Sequence, residues 1–185
     1  MGFGIVKTGR KVFYRKQKLG ITELYLIRHG IAADRKLHSN DEERELTDKG
    51  QQKTKKVAKR LHKLGKKFDL ILTSPLVRSR QTADILQAVG LSSQIEESAA
   101  LAPDCNIYSW LGWLEKWRHH SSGKCLALVG HQPDLSNWAE ILVWGNAQDK
   151  LVLKKAGVIG LILPETGTPV GKSHLFWLSS PSLLL

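Results

Sequence analysis

Cysteine is nearly absent from the 185 residues: Cys105 and Cys125 sit in unrelated contexts and match no CxxC spacing. That excludes a disulfide framework and a cysteine-rich metal site, and leaves two inert thiols. No apolar run approaches the ~20 residues needed to cross a bilayer, and the start MGFGIVKTGRKVF lacks the apolar stretch of a signal peptide. The chain therefore reads as cytoplasmic, with no membrane partner. Acidic residues are missing from positions 1–20, which carry Lys7, Arg10, Lys11, Arg15, Lys16 and Lys18 without clear periodicity. This segment reads as a basic arm, either a flexible tail or an overextended start, with an anion-binding extension as the alternative, set apart from a domain over 21–180 and a short tail over 181–185.

Hydrophobic residues make up 42% and charged residues 24%, the balance of a soluble domain that folds alone, so a monomer is compatible with it. The formal net charge of +11 attracts anions, and its sign alone does not choose among phosphate groups, acidic proteins and nucleic acid. Aromatic interleaving and a reader motif are both lacking, so no nucleic-acid partner is expected.

Along the chain, short apolar runs alternate with helical periodicity. ITELYLI is a strand ending at Arg28-His29-Gly30. In LTDKGQQKTKKVAKRLHKLG, Thr47 is a plausible N-cap, Val57, Ala58, Leu61 and Leu64 share a face, and Gly65 stops the helix. FDLILTS is a second strand, and VRSRQTADILQAVG a second helix. Trp110, Leu114 and Trp117, with Trp113 alongside, mark the core face of a third helix. CLALVGH is a fully apolar strand ending at His131, DLSNWAEILVWG a fourth helix, and VIGLIL and HLFWL are late strands joined by ETGTPVGKS. The expectation is a single-domain α/β fold, a three-layer αβα sandwich on a mostly parallel sheet. Gly167–Ser173 is one residue short of a nucleotide-binding phosphate loop and precedes a strand, so it is set aside.

Three segments fall at or just beyond strand ends: Arg28-His29-Gly30, the run from Ser74-Pro75 to Gln81-Thr82, and Gly130-His131-Gln132-Pro133. Ligands bind beyond the carboxyl ends of such strands. Arginine forks suit phosphate oxygens, and a histidine beside them resists protonation, which leaves a ring nitrogen able to attack phosphorus. Arg80, two residues from Arg78, points elsewhere on a helix and is left out.

These residues resemble the histidine phosphatase superfamily, the phosphoglycerate mutase-like family whose signature is RHG after the first strand. LYLIRHGIA, RELTDKG, LILTSPLVRSRQTADIL, LALVGHQP and KKAGV, in that order, are most similar to its SixA-type phosphohistidine phosphatase branch, over roughly residues 22–180. The resemblance implies a phosphoglycerate mutase-like fold with one antiparallel strand. It also implies that His29 is the catalytic nucleophile, that Arg28 and Arg78 clamp the phosphate, that His131 stabilises the transferring group, and that Arg44 is a further phosphate contact. No cofactor and no metal are implied. His38, His62, His119, His120 and His174 match no site position.

Larger members use a carboxylic acid to protonate an alkoxide leaving group. Where the related branch has Glu-Leu-Thr-Pro, this chain has Ala100-Leu101-Ala102-Pro103, leaving Glu96, Glu97 or Asp104 as other sources of a proton. An imidazole, whose conjugate acid has a pKa of about 6.5, leaves without that help. The expected substrate is therefore phosphohistidine on a protein, such as a histidine phosphotransfer domain of a two-component pathway. Small phosphate esters are the alternative, and a phosphate-binding module without turnover is a further one. Only about 48 residues separate Thr82 from His131, too few for a large cap, which disfavours a mutase.

Overall fold

Strand β1, Thr22–Arg28, opens the fold in the computed structural model, which describes residues 21–37, 39–119 and 125–185. The basic arm over 1–20 lies outside the described residues, as do His38 and His120. After β1 come helix α1 (Asp48–Lys63), β2 (Leu70–Thr73), α2 (Val77–Ala88), β3 (Ile95–Glu97), α3 (Ile107–His119), β4 (Cys125–Gly130), α4 (Asp134–Trp144), β5 (Val158–Leu163) and β6 (His174–Ser179). Thr47 caps α1, its hydroxyl accepting from the Gly50 amide at 3.0 Å. Gly65, Gly90 and Gly145 follow the first, second and fourth helices with φ of +73°, +88° and +91°, the left-handed conformation that glycine adopts at least cost.

The sheet has the order β3-β2-β4-β1-β5-β6. β1, β4, β2 and β3 are mutually parallel, and β5 pairs antiparallel with both β1 and β6. One strand, β5, thus runs against the other five, as the family likeness implies. β3 is not anticipated by the sequence: three residues with two exposed glutamates offer no period to read.

Strand alternation divides the core. Leu24 and Leu26 of β1 join α3 and α4 through Trp110, Leu114, Trp138 and Leu142. Tyr25 and Ile27 point the other way, into a cluster with Val57, Ala58 and Leu61 of α1 and Ala83 and Leu86 of α2. Both sheet faces are covered, giving three layers, and that is why the central strands read as unbroken apolar runs. Each fully buried aliphatic side chain here contributes about 1.5–3 kcal/mol. Residues 181–185 add to this core: Pro181–Leu183 forms a 3-10 turn, and Leu184, 5% exposed, packs in the α1–α2 cluster.

Among the described residues no helix is long and apolar enough to cross a membrane. Cys125 is held by burial, and then by the charges of Glu23 and Asp69, at a thiol pKa raised to about 12, in keeping with an inert thiol.

Candidate active site

Register brings the two histidines together. Arg28 of β1 lies opposite Gly130 of β4, so His29 and His131, each one residue further on, leave neighbouring parallel strands side by side. The His29 amide donates to the Gly130 carbonyl at 3.0 Å, and the two rings lie 5.2 Å apart, tilted by 55°. β2 ends on the far side of β4, where the Ser74 amide donates to Val129 at 2.9 Å. The three expected segments therefore meet at the carboxyl ends of three adjacent strands.

His29 is 6% exposed, and its Nδ1 lies 2.7 Å from the Gly30 carbonyl. A carbonyl can only accept, so Nδ1 carries the proton and Nε2 keeps its lone pair. Burial, then His131 and the guanidinium groups of Arg78 and Arg28, lower the His29 pKa to about 2, against the Gly30 bond, which favours the charged ring. His131 is 4% exposed and lowered to about 3, first by burial and then by Arg78, with Arg28 and Arg44 adding and Asp41 opposing. Its Nε2 stands 2.8 Å from the Ser74 hydroxyl and 3.3 Å from that of Ser79. Both imidazoles are neutral at physiological pH.

The arginines are held in place around them. Arg28 donates to the Leu153 carbonyl at 3.0 Å. Arg78, 3% exposed in the first turn of α2, donates through Nη1 to the Asp41 carbonyl at 2.7 Å and pairs through Nη2 with the Asp41 carboxylate at 3.0 Å. Arg44 pairs with the same carboxylate at 3.0 Å and donates to Ala33. Burial alone would raise the Asp41 carboxyl, but Arg78 and Arg44 bring its pKa below the ordinary value. The buried Nε of each of Arg28, Arg44 and Arg78 finds no acceptor among the described residues. Buried guanidinium N–H groups need acceptors, and the oxygens of a phosphoryl group would supply them.

Gly30 is required sterically, since a Cβ there would lie 2.4 Å from the Thr54 hydroxyl. Its amide donates to Thr82, and Gln81 accepts from the Leu46 amide, so the QT pair fastens the site's loops to α2.

All five sequence-derived site residues, Arg28, His29, Arg44, Arg78 and His131, belong to one cluster. Arg80 points away to Asp84 at 3.0 Å and Glu97 at 2.8 Å. Glu97 is thereby occupied, while Glu96 and Asp104 are exposed. His62, His119 and His174 are exposed as well. Sequence reasoning missed Asp41, one acid among several in DEERE and its surroundings, and gave no task to Ser74, Ser79 or Lys155, although their segments were singled out. Among the described residues no three His, Cys, Asp or Glu side chains group as metal ligands.

The model of the histidine phosphatase superfamily (branch 1) matches residues 24–103. An uncharacterised protein of Picosynechococcus sp. is 48% identical over 167 residues, which is 88% of this chain and 99% of that relative. The chain belongs to the histidine phosphatase superfamily. As a hydrolase of this superfamily it is also similar to the serine/threonine-protein phosphatase Pgam5 of Drosophila mojavensis, 35% identical over 95 residues, which is 47% of this chain and 32% of that protein. Among solved structures, the protein histidine phosphatase SixA complexed with tungstate matches with a TM-score of 0.76 at 22% identity, covering 88% of this chain and 99% of that one. Phosphoglycerate mutase from Bacillus anthracis matches with a TM-score of 0.66 at 13% identity, covering 90% and 96%. These two show that this superfamily member has a SixA-like, phosphoglycerate mutase-like fold.

Proposed function

We propose that the chain is a phosphohistidine phosphatase that removes phosphoryl groups from histidine on a protein, a histidine phosphotransfer domain being one such substrate. The observation that carries this is the bond between His29 Nδ1 and the Gly30 carbonyl, which leaves the Nε2 lone pair free in a pocket of buried guanidinium groups. In the proposed reaction His29 Nε2 attacks phosphorus in line, and the bond between phosphorus and the substrate imidazole breaks. The departing nitrogen keeps the electron pair. With its other ring nitrogen protonated, that imidazole leaves neutral. Water then attacks the phosphohistidine, releasing inorganic phosphate and restoring His29. Arg28 and Arg78 would hold the equatorial oxygens, with Arg44 contacting the same group and His131 stabilising the charge in transit, so that positioning and electrostatics supply the acceleration. Ala100 offers no carboxyl at that point of the chain, which suits an N–P substrate that needs no strong acid.

Asp134 favours a second reading, a phosphatase for phosphate esters. It opens α4 three residues after His131, and burial, with a contribution from the charge of Asp104, raises its carboxyl above the ordinary value. A carboxyl raised in this way is suited to protonate an alkoxide.

The deciding experiment compares hydrolysis of a phosphorylated histidine protein, p-nitrophenyl phosphate and an unactivated alkyl phosphate by wild type and His29→Ala. Strong preference for the phosphorylated protein, lost with His29→Ala, is the expected result. Equal efficiency on the unactivated ester would select the second reading, and acid-labile, base-stable label on a residue other than His29 would displace the nucleophile.

A further inference from the structure

Beside the residues already placed in the site stands a cation that none of their hydrogen bonds involves. Lys155 lies in the turn over residues 151–157 that clasps the end of β1. Two positions before it, the Leu153 carbonyl accepts from Arg28 at 3.0 Å. One position after it, the Ala156 amide donates to the carbonyls of both Arg28, at 3.0 Å, and His29, at 3.1 Å. Ala156 has φ +60°, a left-handed conformation disfavoured for a residue with a Cβ, and the Gly157 amide closes the turn on Lys154 at 2.7 Å. Strain of this kind persists only where the surroundings over-determine the backbone.

The turn is also fixed from behind. Glu140 of α4 is fully buried, and its carboxylate accepts from the amides of Lys150 and Leu151 at 2.6 Å each and from that of Gln148. Lys155 thus rises from a backbone anchored at both ends. Lys155 is half-buried, and its ammonium group forms no hydrogen bond or ion pair with any described residue. Burial, and then the charges of Arg28, Arg44 and Arg78, depress its pKa, in keeping with a turn whose backbone is bonded to Arg28 and His29.

Charge at the mouth of the site then exceeds what one phosphoryl group neutralises. Arg28, Arg44, Arg78 and Lys155 supply four positive charges, and Asp41 is the carboxylate paired among them. Three remain against the two of a phosphoryl dianion. Arg35, 79% exposed and 3.6 Å from Asp41, adds another on the solvent side. A cation held partly buried among like charges is costly unless an anion joins it.

We infer that the site selects phosphorylated substrates carrying a second negative charge next to the phosphoryl group, and that Lys155 is the specificity-determining residue that pairs with that charge. The inference deepens the phosphohistidine reading: there, the second charge is a carboxylate side chain flanking the phosphohistidine on the substrate protein. The arginines stand among the phosphoryl-binding groups, while Lys155 is a point charge on a flexible stem, able to meet a carboxylate at variable distance.

The test uses two phosphohistidine peptides of one sequence, differing only in Asp or Asn beside the phosphohistidine, with the full-length chain as wild type, Lys155→Met and Lys155→Arg. The quantity read is the ratio of kcat/KM for the acidic over the neutral peptide within each variant, so a general loss of folded enzyme cancels. Wild type is expected to prefer the acidic peptide about fivefold at low salt, the scale of a partly exposed ion pair. The preference resides in KM, falls towards one in Lys155→Met, and is retained in Lys155→Arg. A wild-type ratio of one, or a preference that survives in Lys155→Met, overturns the inference. Turnover of neither peptide defeats the phosphohistidine reading instead, and the same ratio is then read with 3-phosphoglycerate against glycerol 3-phosphate. A preference for the former that requires Lys155 keeps the inference, and its absence, or no turnover, removes it.

Discussion

The proposed attack of His29 on phosphorus requires an unprotonated ring, and burial keeps that ring neutral before any substrate arrives. The pKa of His29 lies at about 2 and that of His131 at about 3, so neither gains a proton as pH falls through the range in which an exposed imidazole does. The profile of kcat/KM, which reports groups of the free enzyme, is expected to show no histidine inflexion between about pH 5 and 8 once the substrate's own titration is removed. An inflexion near 6.5 that disappears in His131→Gln would contradict this. His131→Ala itself should lower kcat by about 10²–10³-fold, the usual cost of losing one group that stabilises transition-state charge. At this scale the sequence was most informative where a residue type is tied to a motif. His29, Arg28, Arg78 and His131 could be named for that reason. Asp41 could not, because Asp34, Glu42, Glu43 and Glu45 surround it with equivalent chemistry, and only the fold selects the one that meets Arg78.

Helix α1 touches the site through its N-terminal turn. A Cβ on Gly50 would come within 2.0 Å of the Ile31 carbonyl oxygen, a backbone atom one residue beyond the RHG triplet. Gly50→Ala must therefore push the helix off the strand end, and a loss of about 3 kcal/mol, roughly 10 °C in Tm, is expected. Kcat should fall with it, because the displaced segment carries His29. Gly112, inside α3, is the contrasting case: nothing lies within 4 Å of its added Cβ. Gly112→Ala is expected to gain about 0.5–1 kcal/mol, and thermal unfolding of both variants checks the opposite signs. The helices were legible from caps, glycine stops and apolar faces, all of which are local. β3 escaped because its identity lies in its pairing with β2, through Ile71 opposite Ile95. Pairing of that kind is a long-range fact that three residues of sequence do not encode.

For the molecule as a whole, the same buried imidazoles link stability to pH. Their folded pKa values lie below the unfolded value of about 6.5, so between the two the unfolded chain binds more protons and the fold weakens as pH falls. This contribution is absent above about pH 6.5 and grows on acidification towards the folded values. Urea unfolding at pH 7 and pH 5 is expected to show a lower midpoint at pH 5, with a smaller drop in His131→Gln. Equal drops in the two proteins would count against the buried, neutral state of His131. The sheet order carries a different consequence, for synthesis. β1 is flanked by β4 and β5, and Leu24 meets its parallel partner Leu126 about a hundred residues later in the chain. As the polypeptide leaves the ribosome, the apolar run LYLI must wait for most of the domain before either of its edges is covered. Nascent chains of this protein should therefore be clients of holding chaperones until β4 emerges, and a stall placed before Cys125 would leave the strand that bears the histidine open to aggregation.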